Sequence, residues 1–113
     1  MNVKIKHNHW FPKLLKVNGI TIGSKILLRD EPKNVKRNTY KHELQHCYQI
    51  EAVGFFKFYL SYFMYYLAGY IYLGNWEQSY YDIPYEREAY EVEDSPFTNK
   101  DVDILKKEGI SYE

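Results

Sequence analysis

A chain of 113 residues with fifteen Lys/Arg against fifteen Asp/Glu has room for one domain, residues 1–113, and one modest core. Zero net charge and the lack of any nucleic-acid-binding motif argue against a nucleic-acid partner. The single cysteine, Cys47, excludes an internal disulfide framework and fits a reducing compartment such as the cytoplasm, and the first residues lack the apolar run of a secretory signal. The charge is unevenly spread. Residues 1–41 hold ten Lys/Arg against Asp30 and Glu31, a net +8, and the remainder carries −8. Either the halves neutralise one another in the fold, or the basic third faces an anionic partner. Thirteen Tyr and six Phe imply aromatic-rich packing or a large contact surface.

Asn2–Lys6 alternates apolar and polar residues and reads as a short half-buried strand. His7 and His9 follow, two apart and so on opposite faces of an extended chain, and are expected to be solvated or packing residues; Pro12 breaks the run. Asn18–Arg29 holds two aliphatic runs around Gly23-Ser24, a β-hairpin with a two-residue turn. Asp30-Glu31-Pro32 closes the strands, and a helix is expected from about Asn34 or Asn38 to Val53, stopped by Gly54.

That helix carries His42-Glu43-Leu44-Gln45-His46. Residues four apart lie on one helical face, so His42 and His46 can offer two imidazole nitrogens to one metal ion. Glu43 lies about 100° round the helix from His42, within reach of a water held by that metal. The pattern suits zinc-assisted hydrolysis, with Glu43 as general base.

Residues 52–74 are apolar and aromatic, with Lys57 as the one charge, and are long enough to span a bilayer. Six tyrosines within them suit an interface better than a membrane centre. A zinc site with two histidines also needs a third protein ligand, and Tyr81–Tyr90 offers Glu86 and Glu88 just after the helix-start signals Asp82 and Pro84. A span between the two motifs would hold them roughly 30 Å apart. A buried or interfacial helix, or a hairpin bending near Gly69, is therefore expected. Thr98–Asp101 resembles a capping box opening a short helix that ends at Gly109.

Taken together, Ile20-Thr21-Ile22-Gly23, His42–His46 with Gln49, and Tyr81–Tyr90 resemble a family of small zinc metallopeptidases of the zincin class, found in bacteria and their phages. The resemblance covers about residues 18–93 and departs from the family's glutamate box at Ile83 and Tyr85. It implies an α+β, minimal zincin-like domain: a short antiparallel sheet, the His-Glu-x-x-His helix, an aromatic helix or helical hairpin, and a glutamate-bearing helix. It also implies Zn2+ held by His42, His46 and Glu86, with Glu88 the lesser candidate. Tyr90 stands where the family's supporting Asp is expected.

The expected function is a zinc-dependent hydrolase acting on a peptide or protein, with the strand near Ile20–Leu28 holding an extended substrate and a tyrosine assisting at the oxyanion. The alternative is a non-catalytic subunit of a larger assembly such as a phage particle, contacting an assembly partner or a membrane surface through residues 55–73.

Overall fold

Ile5 turns inward between two exposed lysines in β1 (Lys4–Lys6), as its alternation requires. The computed structural model describes residues 2–110, a mixed α+β arrangement in which β1, β2 (Gly19–Ile22) and β3 (Lys25–Leu28) form a sheet of order β1-β3-β2. β2 and β3 are the expected hairpin, Ile22 pairing with Lys25 across Gly23-Ser24. β1 departs from the antiparallel expectation: it runs parallel to β3, Ile5 opposite Ile26. A parallel pair needs a crossover. Here α1 (Trp10–Leu15) and β2 supply it.

α1 occupies the stretch that Pro12 was expected to break. Pro12 is the helix's third residue, where a backbone N–H would have no intrahelical acceptor. The helix opens because His9 Nδ1 accepts the Phe11 N–H at 3.1 Å, so His9 is a cap. His7 Nε2 bonds the Tyr40 hydroxyl at 2.6 Å.

α2 (Arg37–Val53) lies within its expected bounds, after a 3-10 turn at Pro32–Asn34. Tyr40, Leu44 and Cys47 repeat at helical spacing and pack with Ile26 and Leu28 of the sheet and with Ile104 and Leu105 of α6 (Asn99–Lys107). Thr98 and Asp101 form the expected capping box. The Asp101 carboxylate also accepts from the Tyr48 hydroxyl and from Lys41 Nζ at 2.7 Å, so a fully buried charge is paired.

Gly54, with φ 102°, redirects the chain from α2 into α3 (Phe55–Leu73), a turn that a side chain would strain. α3 runs unbroken through Gly69. The expected bend there is displaced to Gly74, after which α4 (Trp76–Asp82) returns along α3. Gly69 has another role: a Cβ there would stand 2.4 Å from Ser79 Oγ, so its bare backbone lets α4 lie close. Trp76 stacks on Tyr70 at 3.8 Å. No helix among the described residues is long and apolar enough to cross a membrane. Of the two dispositions expected for it, buried or interfacial, α3 is not the buried one, since Phe58 is its one buried residue and its outer face is open. α5 (Pro84–Val92) starts at Pro84, as expected, and packs on α2.

Replacing Asp101 with Asn leaves the Lys41 ammonium buried without its counter-charge. The expected cost is about 3 kcal/mol, read as a lower urea midpoint. Burial alone would raise the Asp101 pKa, but hydrogen bonds from Lys41 and Tyr48 hold it below the usual range. Its contribution is therefore present above the unfolded carboxylate pKa and is lost as pH falls through the lower folded value. The variant is expected to lose less stability on acidification than the native chain.

Candidate metal centre

α2 is packed on two opposite faces. At about 100° per residue, His42, His46 and Gln49 lie opposite the Tyr40, Leu44, Cys47 stripe. While one face builds the core, the other is covered by α5, which brings Glu86 against both histidines. His42 Nε2 and His46 Nε2 each stand 3.0 Å from Glu86 Oε1, and all three side chains are buried. Their ligand atoms lie within 4.8 Å of one another. Zinc bonds near 2.0–2.1 Å place tetrahedral ligand atoms about 3.4 Å apart, so two edges of the triangle need to open by only a few tenths of an ångström. The donor set, two imidazoles and a carboxylate, suits zinc among other first-row metals. The buried His42-His46-Glu86 group can hold a metal ion.

The outer nitrogens are also held. His42 Nδ1 lies 2.9 Å from Glu93 Oε2, and His46 Nδ1 lies 2.8 Å from Gln49 Oε1. The Gln49 amide nitrogen donates to the Tyr85 carbonyl and to Glu88, each at 3.0 Å, which turns its oxygen towards His46. Both Nδ1 atoms are therefore donors, and both Nε2 lone pairs are available to a metal once their protons leave. The other Glu86 oxygen accepts from the Tyr62 hydroxyl at 2.6 Å. Burial opposes the charged form of Glu86, but the two histidines and Tyr62 hold its carboxyl far below the usual range. Burial likewise lowers the His46 pKa, and the Glu86 hydrogen bond and charge outweigh it, raising it to about 9.

Glu43 faces β2. Its Oε1 accepts from Thr21 Oγ1 at 2.9 Å, and Thr21 Oγ1 also bonds the Glu43 carbonyl. Gly19 leaves room for this approach, since a Cβ there would meet Leu28 at 2.8 Å and Glu43 Cγ at 3.3 Å. Glu43 lines two pockets. One, of about 390 Å3, is walled by apolar side chains of α1, β2 and α3 and reaches His46 and Glu86. The other, of about 260 Å3, is polar and reaches His42 and Glu93. Tyr80 lines both.

Of the residues singled out in the sequence, His42, His46 and Glu86 come together, with Glu43 beside them. Glu88 points to Gln45 and Gln49, bonding Gln45 at 2.6 Å. Tyr90 is not the hydrogen-bonding support of His42: its ring packs edge-on against the imidazole at 4.5 Å, and Glu93 makes the bond. Glu93 carried a readable signal, for it lies seven residues beyond Glu86, two turns along the same face. Tyr62 carried none, since nothing distinguishes it among the tyrosines of α3.

Glu93→Gln and Gln49→Leu are each expected to lower zinc affinity by roughly 10- to 100-fold without unfolding the chain, measured by competition with a chelating dye. Because His46 holds a proton up to about pH 9, affinity for the native chain should rise with pH below that value, one proton leaving this imidazole as metal enters. Comparison of the chain with protein-family models, with curated protein sequences and with solved structures found no match.

Proposed function

We propose that the protein is a zinc-dependent hydrolase of the metallopeptidase type, built on a minimal zincin-like site. The observation that carries this reading is the convergence of His42 Nε2 and His46 Nε2 on one Glu86 oxygen, with the Glu43 carboxylate in the pocket alongside. A scaffold would need the three ligands but not a carboxylate placed beside them. Zinc in this setting supplies Lewis acidity, polarising a carbonyl and acidifying water at neutral pH.

The chain's own residues take the remaining roles. Glu43, aimed by Thr21, accepts the proton of the attacking water and returns it to the leaving amine. Glu93 and Gln49 hold the imidazoles in the tautomer that presents Nε2. β2 is the strand that receives an extended peptide. It is an edge strand, whereas β3 is interior, which narrows the expected Ile20–Leu28 stretch to Gly19–Ile22. The backbone groups of Gly19 and Thr21 alternate outward from β3. Tyr59 already bonds the Thr21 carbonyl at 2.9 Å, so the open part of this edge is its Gly19 end. The adjoining pocket, apolar and about 390 Å3, suits a large apolar side chain of the substrate. Tyr80, at the junction of the two pockets, is placed to donate to a developing oxyanion.

The test uses zinc-loaded protein and a library of quenched fluorescent peptides. Native protein is expected to cleave peptides carrying a large apolar residue next to the scissile bond. Glu43→Gln should hold zinc equally well and lose at least roughly a thousandfold in kcat/KM. Equal cleavage by the two proteins would overturn the role of Glu43 as general base, and none by zinc-loaded native protein would overturn the reading in favour of a non-catalytic assembly subunit.

A further inference from the structure

The outward face of α3 is used by nothing described above. Phe56, Leu60, Phe63, Leu67 and Ile71 recur every three or four residues on the side opposite the buried Phe58. Phe56 is 85% exposed, Leu60 66% and Ile71 76%, so this stripe is bare along most of the helix. Across the apolar pocket, α1 exposes Trp10, Leu14 and Leu15, and Leu15 and Ile22 both line the pocket and face solvent at its rim.

The charge of these same elements is of one sign. Residues 2–29 and 55–73 contain seven Lys/Arg and no Asp or Glu. Lys4 and Lys25 are paired neighbours on β1 and β3, with Lys6 two residues along on the same outer face. Lys13 and Lys16 flank the end of α1, and Lys57 opens α3. All six lysines are exposed, and among the described residues none is in a salt bridge.

We propose that the outward side of α3 docks on an anionic lipid surface, with Lys57 and the exposed lysines and apolar side chains of α1 and the sheet meeting the headgroups around it. Apolar and aromatic side chains interspersed with lysines match both layers of that surface, the acyl boundary and the anionic headgroups. α3 lies on it and does not cross it. A second copy of the chain is a poorer occupant, because a two-fold contact brings two copies of this positively charged patch together with no acidic residue of these elements to offset them. An acidic protein would meet the lysines but must also supply a long apolar groove for the stripe. The inference does not depend on the metal centre.

The test is sedimentation of the full chain with phosphatidylcholine vesicles, with and without phosphatidylglycerol, at low and high salt. Binding is expected only to the anionic vesicles and should weaken with salt. The triple substitution Lys13→Gln, Lys16→Gln, Lys25→Gln is expected to weaken it by roughly a hundredfold, at about fivefold per lysine. Phe56→Ser with Leu60→Ser and Ile71→Ser, all exposed and so compatible with folding, should abolish it. Absence of binding to anionic vesicles at low salt overturns the proposal. So does binding that neither set of substitutions alters, or a dimer in solution that the serine substitutions dissociate while vesicle binding is missing.

Discussion

One carboxylate shared between two imidazoles is the constraint on which this fold turns. Glu86 is buried, and a buried carboxylate is tolerated only where cationic or hydrogen-bonding partners surround it. Its partners come from α2 and α3, and its own helix must start near enough to present it. Pro84 starts α5 two residues before Glu86, and Tyr62 reaches in from α3. The contact between α5 and α2 is thus cemented at its centre by polar groups, all of them satisfied. No buried side-chain nitrogen or oxygen among the described residues is left without a partner.

α2 must therefore serve two neighbours at once. One face holds Tyr40, Leu44 and Cys47 against the sheet and α6, and the opposite face holds the histidines against α5. Glu43 falls between the two, under the edge of β2, where Gly19 and Thr21 make space and supply a hydroxyl. Burial gives the histidines little freedom, and the bonds to Glu93 and Gln49 remove the remaining choice of tautomer. This is the preorganisation a metal site requires. The same chain leaves α3 half uncovered, so its apolar content serves the core at Phe58 and an outside surface along the rest of its length.

The features readable beforehand were those set by short-range spacing. His42 and His46 at four residues, Thr98 and Asp101 at three, and Gly23-Ser24 between two aliphatic runs each identify an element through local geometry. Features set by tertiary contact were not readable. β1 joins β3 in parallel because of a crossover whose helix is opened by His9, a residue that resembles a loop histidine in isolation. Gly69 looks like a hinge because glycine weakens helices, yet here it is a contact point for Ser79, and the turn falls at Gly74. Glu93, two turns beyond Glu86 on the same face, was readable as a candidate but not as the partner of His42, because Tyr90 fills the expected position and offers its ring to His42 in place of a carboxylate. The aromatic content of α3 indicated a surface or a core without distinguishing them, and the fold divides it between the two.

The central claim is that His42, His46 and Glu86 form one three-ligand metal site. It is tested most directly by zinc content per chain in the purified native protein, beside Glu86→Ala and Glu88→Ala. About one zinc in the native protein and in Glu88→Ala, with none retained by Glu86→Ala, is the expected result. A native chain that binds no zinc when the metal is offered, or a Glu86→Ala chain that binds it as tightly, would contradict the claim.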